Sequence, residues 1–275
     1  MAITAADVKN LRDQTGAGMM DCKKALSESG GDIQGAIEYL RKKGEKVAAK
    51  RSDKETKEGV VIAQVSDDKK RGVIVRLSCE TDFVSKGDDF VNFTQKIADL
   101  ALEKFPADLD ALLALPMGDS TVGQSVTDMV GKINEKIFVS AYEKLEAAQV
   151  APYIHSGYRA GVLVGLSSAA DSVHDAGRDV AMQVAAMRPV ALDQDSVDQS
   201  VIDKEIEIGM DVARQEGKPE EMVEKIAKGK LNKFFKDNTL VNQAYVKDNK
   251  QTVAQYLDSQ EKGLKATAFR HVELG

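Results

Sequence analysis

The sequence has few of the residues from which metal centres and disulfide frameworks are built. It contains two cysteines, Cys22 and Cys79, and three histidines too scattered to give the spacing of a metal-binding pair. Two cysteines far apart in the chain provide neither a zinc ligand set nor a network of disulfides. We therefore predict a protein without a metal or other cofactor, in the reducing environment of the cytoplasm.

The sequence also lacks the common short motifs of nucleotide binding and nucleophilic catalysis. No segment has the glycine-rich pattern of a P-loop or the Gly-x-Ser-x-Gly pattern of a nucleophile elbow. Gly16-Ala17-Gly18 begins like a dinucleotide-binding fingerprint, but Asp21 occupies the third glycine position and no strand precedes it. Catalytic triads assemble in space, so sequence spacing does not decide that case. Nothing in the pattern requires an enzyme, and we predict that the protein is not one.

Long apolar runs and an excess of positive charge are missing as well. No run is long enough to cross a bilayer, and the first residues, MAITAAD, lack the basic segment and apolar run of a secretory signal. The net charge of −6 argues against binding nucleic acid by bulk electrostatic attraction. With 275 residues, 43% of them hydrophobic, the chain can bury a sizeable core and is predicted to form more than one domain.

Residues 1–44 have the pattern of a three-helix module. Thr4 and Asp7 match a capping box at the start of the first helix, and apolar residues then recur at helical spacing in three segments. We expect the third helix to end at Gly44, because glycine is common just past a helix C-terminus. Residues 45–58 follow as a mixed-charge linker with helical tendency.

The remainder is predicted to be an α+β core of two similar subdomains, residues 59–149 and 150–275. Each begins with two strand-like runs joined by a turn and followed by a helix. The runs GVIV, starting at Gly72, and GVLV, starting at Gly161, occupy equivalent places in the two halves. In the second half, two amphipathic segments separated by Gly-Lys-Pro predict an inserted antiparallel helical hairpin at residues 197–237.

The most distinctive segment is CETDFVSK at residues 79–86, at the end of a predicted buried strand. Asp82 and Phe83 lie just past the strand, so an acid and a large ring can both be presented to a partner. The alternative is that Phe83 covers the core of its own domain and Asp82 caps a turn. Residue chemistry alone favours this alternative, because most such aromatic side chains pack at home.

Two segments together closely resemble bacterial translation elongation factor Ts: LRDQTGAGMMDCKKAL at residues 11–26 and CETDFVSK at 79–86. IHSGYRAGVLV at residues 154–164 and Gly-Lys-Pro at 217–219 are similar to that family too, and the resemblance covers nearly the whole chain. It implies an N-terminal module like ubiquitin-associated domains, joined to a two-part α+β core with a helical hairpin. It also implies a guanine-nucleotide exchange factor that promotes GDP release from elongation factor Tu, a GTPase carrying GDP and Mg²⁺.

The resemblance implies three areas of contact with the GTPase. The methionine pair and a neighbouring lysine would dock on one of its helices, Phe83 would wedge between its side chains, and Asp82 would disturb the surroundings of its Mg²⁺. His155 would lie in the contact made by the second subdomain. The implied partner-binding residues are Met19, Met20, Lys23, Thr81, Asp82, Phe83, Val84 and His155. Two alternatives stay open: a core role for one methionine, and a turn histidine bonded to its own backbone at position 155.

The sequence departs from the family pattern in three places. Ser78 stands where an asparagine is usual, and residues 138–141 are FVSA where an arginine pair is common. The chain ends at Gly275, whereas some members continue into a C-terminal helix that clasps the GTPase, so we expect lower affinity or compensation elsewhere. Two rival predictions remain. One is an interaction scaffold that uses the three-helix module and the hairpin, and the other is a small-molecule enzyme with its site between the subdomains. The exchange factor requires no direct contact with nucleic acid and no membrane.

Overall fold

The structure, a computed structural model, describes residues 3–275 and begins with a bundle of three helices. These are α1 (Ala5–Thr15), α2 (Met19–Glu28) and α3 (Ile33–Lys50). The predicted capping box is confirmed: the Thr4 amide donates to the Asp7 carboxylate at 2.9 Å, and the Asp7 amide donates to the Thr4 hydroxyl at 3.2 Å. Gly16 ends α1 with a left-handed φ of 66°. The buried centre of the bundle includes Leu11, Cys22 and Leu26.

The first half of the core is built on an antiparallel sheet in the order β1-β2-β5. Its elements are β1 (Glu58–Val65), β2 (Arg71–Cys79), α4 (Asp82–Ser85), α5 (Asp88–Lys104), α6 (Leu109–Ala114), β3 (Pro116–Met117), β4 (Ser120–Thr121), α7 (Val122–Ile133) and β5 (Phe138–Glu146). The β-branched residues of β1 and β2 alternate between two buried faces. One face packs against α5 and α7 through Val73, Val75, Phe90 and Ile97.

The second half repeats this order with a sheet in the order β10-β7-β6. Its elements are β6 (Gln149–Ile154), β7 (Ala160–Leu166), α8 (His174–Met187), α9 (Gln199–Gln215), α10 (Glu220–Asn238), β8 (Ala244–Tyr245), β9 (Asp248–Thr252), α11 (Val253–Gln260) and β10 (Ala266–Glu273). Helices α9 and α10 form the predicted hairpin, which Gly217 turns with a φ of 70°. The α+β prediction is therefore confirmed. Among the described residues, no helix combines the length and the apolar character needed to cross a membrane.

The two sheets pack face to face, and a pair of glycines allows their central strands to approach. Gly72 and Gly161 are each the second residue of a central strand, β2 and β7. A Cβ atom at Gly72 would lie 2.9 Å from Leu163, and one at Gly161 would lie 2.9 Å from Val61. The equivalence of the two runs noted in the sequence is thus a matched contact between the two halves.

Gly44 does not end the third helix, so that prediction is wrong. Helix α3 continues to Lys50, and Gly44 lies buried where α3 crosses α7. A Cβ atom at Gly44 would stand 2.7 Å from the carbonyl oxygen of Thr127, and the crossing also needs Gly131 on the facing helix. The glycine serves a close helix contact instead of a helix end. The helix therefore runs past the predicted boundary at residues 44 and 45, and the division into domains stays a prediction.

Candidate partner-binding site

Where the chain leaves the first sheet, residues 82–85 form a short tip that carries the exposed Phe83. Strand β2 ends at the buried Cys79, and the single-turn helix α4 begins three residues later, at Asp82. Thr81 caps α4, because its hydroxyl accepts from the Val84 amide at 3.4 Å. The Phe83 side chain is 87% exposed. The prediction that Phe83 covers the core of its own domain is therefore wrong, and the ring is free to meet a partner.

Asp82 lies beside Phe83 on the same tip and forms an ion pair with Lys86 at 2.7 Å. Hydrogen bonding and charge attraction from Lys86 lower the pKa of the Asp82 carboxyl, and Asp82 raises the pKa of Lys86 in the same way. Thr81, and not Asp82, caps the turn, which corrects the other half of that alternative. The tip thus presents a carboxylate and a phenyl ring side by side, with a lysine one helical turn away.

Thr81 and Val84, which flank Asp82 and Phe83 in the sequence, connect the tip to the rest of the chain. Val84 is half-buried and packs against the core between the first sheet and α5. Thr81 donates its hydroxyl proton to the Glu135 carboxylate at 2.8 Å. Burial, and then the charge of Glu135, raises the pKa of the neighbouring Cys79 thiol to about 12, so this cysteine is a poor nucleophile. Direct contact of Thr81 and Val84 with a partner stays a prediction.

Met19 and Met20 form a second exposed area, between α1 and α2. Their side chains are 60% and 74% exposed, so the alternative that one of them serves the module core is wrong. With Lys23 and Val8 they line a groove of about 560 Å³. Methionine adapts its shape to an apolar partner, and a lysine at the rim adds charge selectivity. The groove is suited to an apolar helix face, and the sequence resemblance implies that this area docks on a helix.

His155 lies in an exposed turn at the same edge of the core as the Phe83 tip. Its amide donates to the Ala160 carbonyl at 2.8 Å, and its ring Nδ1 lies 3.1 Å from the hydroxyl of Tyr153. The turn is joined to the tip because Arg159 pairs with Glu58 at 3.5 Å, and Glu58 is the strand partner of Cys79. The alternative of a histidine bonded within its own turn is therefore confirmed, and contact of the exposed His155 with a partner stays a prediction.

Sequence reasoning does not single out Tyr158, which lies in the same turn. Gly157 and Tyr158 both have left-handed backbone conformations, with φ of 71° and 59°, and the tyrosine ring is 39% exposed. A left-handed conformation is unfavourable for a bulky residue, so neighbouring contacts must hold this turn in place. The Ser-Gly-Tyr sequence, separated by one residue from the end of β6, was the available signal.

The structure gives no support to the alternative of an enzyme site between the subdomains. The space between the two sheets is filled by buried aliphatic side chains, including Val61, Ile74 and Leu163. Within residues 3–275, no cluster of three or more histidine, cysteine, aspartate or glutamate side chains is placed to hold a metal ion.

Comparison with known proteins identifies the relatives of the chain. The sequence model of the family described as Elongation factor TS matches residues 80–275. A protein of Christiangramia forsetii named Elongation factor Ts is 53% identical over 273 residues, which span 99% of this chain and 99% of the relative. Proteins of the same name from Cytophaga hutchinsonii and Porphyromonas gingivalis are 53% identical over 274 residues and 44% identical over 275, each match spanning at least 99% of both chains. The similarity therefore covers the three-helix module as well as the core.

Proposed function

The chain belongs to the elongation factor Ts family, and on that premise we propose that it is a guanine-nucleotide exchange factor for the GTPase elongation factor Tu. It promotes GDP release during translation elongation, in the cytoplasm, and forms or breaks no covalent bond. The observation that carries this proposal is the Phe83 tip. An 87% exposed phenyl ring beside an ionised carboxylate, on a turn fixed at its base, is suited to insertion into another protein.

The exchange step follows from linkage between two binding events. A GTPase holds GDP through phosphate contacts and through Mg²⁺. Whatever factor this chain adds to the dissociation constant of GDP, GDP must impose on the affinity of this chain. Insertion of Phe83 shifts packed elements around the metal, and Asp82 brings negative charge towards groups arranged to hold Mg²⁺ and phosphate. Loss of one metal contact weakens the binding of GDP to the GTPase by several kcal/mol.

The other exposed areas supply the binding free energy that offsets this strain. The groove at Met19, Met20 and Lys23 takes an apolar helix of the GTPase, and the His155 turn contacts a second region. The proposed partner-binding set is therefore the one that the resemblance implies. Since the tip and the His155 turn lie at one edge of the core, a single partner can meet both.

Release of fluorescent GDP from the elongation factor Tu·GDP·Mg²⁺ complex tests the proposal. We expect the chain to accelerate release when it is present at substoichiometric concentration, because each molecule acts repeatedly. The Asp82→Ala/Phe83→Ala double variant should slow this release while keeping its fold, as measured by circular dichroism. No acceleration by the wild-type chain, with binding intact, would favour the chief rival, an interaction scaffold that binds through the methionine groove.

A further inference from the structure

The connection between α7 and β5 grips the base of the Phe83 tip. Asn134 ends α7 in a left-handed conformation with a φ of 63°, and this turn directs the following residue towards the tip. One carboxylate oxygen of Glu135 accepts from the backbone amides of Glu80 and Thr81, at 3.2 and 3.1 Å. Its other oxygen accepts from the Thr81 hydroxyl at 2.8 Å. A single half-buried side chain thus binds three donors where the strand turns into α4.

A second carboxylate completes the grip from the opposite direction. Glu80 accepts from the Lys136 backbone amide at 2.5 Å and from the Arg51 guanidinium at 2.8 and 3.2 Å. Arg51 is the residue directly after α3, and the Lys136 ammonium donates to the carbonyls of Ser52 and Lys54. The tip is therefore bonded to the α7–β5 connection and also to the end of α3, the last helix of the N-terminal bundle.

The tip needs this support because it has little structure of its own. Helix α4 has four residues, which is far too short for an isolated helix to be stable in water. Because Phe83 is 87% exposed, few contacts with its own chain hold the ring, and its direction depends on the backbone of the tip. A side chain that must displace elements of another protein does so best when its backbone is already fixed, because no binding free energy is then lost in ordering it.

We propose that Glu135 is a positioning residue for nucleotide exchange: by binding the amides of Glu80 and Thr81 and the Thr81 hydroxyl, it fixes the direction in which Phe83 enters the GTPase. This role rests on the proposed exchange function. Glu135 itself does not touch the nucleotide or the metal. Its loss loosens the tip and leaves the methionine groove and the His155 turn unchanged, so docking survives while the exchange step fails.

Three variants of Glu135 separate positioning from general stability. Glu135→Ala removes all three bonds, and Glu135→Asp keeps the charge but shortens the reach. Glu135→Gln is the rescue variant, since its amide oxygen can accept from both backbone amides and its NH₂ group can donate to the Thr81 hydroxyl oxygen. The matched control is Glu103→Ala, because Glu103 is exposed and pairs only with the adjacent Lys104 among the described residues.

The assay is GDP release measured against the concentration of elongation factor Tu·GDP, which yields kcat and KM separately. We expect Glu135→Ala and Glu135→Asp to lower kcat roughly ten- to a hundredfold, the usual effect of a misplaced group, with KM within about twofold of the wild type. Glu135→Gln and Glu103→Ala should keep the wild-type kcat within about threefold. Hydrogen exchange at the Glu80 and Thr81 amides should quicken in Glu135→Ala but not in Glu135→Gln.

A double-variant cycle provides the decisive outcome. If Glu135 acts through the ring, Glu135→Ala should have no further effect on kcat in a Phe83→Ala background. Additive losses, an unchanged kcat in Glu135→Ala and Glu135→Asp, or a rise in KM at constant kcat would each overturn the positioning role while the proposed function stands. Failure of the wild-type chain to accelerate release would overturn the proposed function, and the positioning role with it.

Discussion

Replacement of Phe83 by alanine should separate function from stability almost completely. The ring is 87% exposed, so its removal costs the folded protein little buried apolar surface. Surface substitutions of this kind change the free energy of unfolding by about 0.5 kcal/mol or less. Alanine is also a better helix former than phenylalanine, which suits a position inside α4. The variant should therefore fold with the wild-type midpoint in urea.

The expected effect on exchange follows from the area that the ring can bury in a partner. Complete burial of a phenylalanine side chain contributes roughly 1.5–3 kcal/mol, and almost all of this ring is available for burial. If the contact forms only as GDP leaves, that free energy appears in the rate, and 1.36 kcal/mol corresponds to a factor of ten. Phe83→Ala should therefore slow catalysed GDP release roughly 10- to 150-fold.

Phe90→Ala is the matched control, because the same substitution is made seven residues away in the core. Phe90 is 2% exposed and packs between α5 and the first sheet, so its removal should cost about 3–5 kcal/mol of stability. Stopped-flow release of fluorescent GDP and urea denaturation would be measured for both variants. Wild-type release by Phe83→Ala, or a loss of stability as large as that of Phe90→Ala, would refute the reasoning.

The remaining predictions concern the supports of the fold. Gly44→Ala would push a methyl group against a backbone carbonyl of α7 at 2.7 Å and should cost about 1–3 kcal/mol in urea denaturation. Gly229→Ala, with no atom within 4 Å in the described residues, should gain up to about 1 kcal/mol, and equal stabilities would contradict the close crossing. Although burial opposes the shift, a backbone amide and Arg51 lower the pKa of Glu80 from its ordinary 4.5. Wild type should therefore be more stable than Glu80→Gln above that pH and lose the difference as the pH falls below it; a gap of equal size at pH 7 and pH 3 in thermal denaturation would count against the pair. Asp179→Ala removes the acceptor of two tyrosine hydroxyls and a lysine, and it should lower the free energy of unfolding by about 2–3 kcal/mol. A change under about 0.5 kcal/mol would show that these hydrogen bonds do not stabilise the fold.

Elements with a strong local signal were predictable from the sequence. The capping box at Thr4 and Asp7 lies within four residues, and the Gly-Lys-Pro turn between α9 and α10 interrupts two long apolar stripes. The repeated hairpins carry β-branched runs bounded by polar turns, and this pattern predicts the pair of antiparallel strands that opens each half of the core. In each case, the residues that decide the structure are close together in the chain.

Features that depend on distant partners were not predictable in this way. Gly44 looks like a helix end until Thr127 and Gly131 are known to lie against it, more than 80 residues later. The residues that hold the base of α4 are also distant in the chain, because Glu135 accepts from the amide of Thr81, 54 residues away. Local chemistry favoured a buried ring for the same reason. Family resemblance supplied the outward direction that the residues alone could not.

The most direct test of the account compares the affinity of this chain for nucleotide-free elongation factor Tu with its affinity for the GDP-bound form. Reciprocal linkage predicts that the chain binds the nucleotide-free form more tightly, by the same factor by which it weakens GDP. Titration calorimetry in Mg²⁺-containing buffer gives both constants. Equal affinity for the two forms would contradict the claim that this protein drives GDP from its partner.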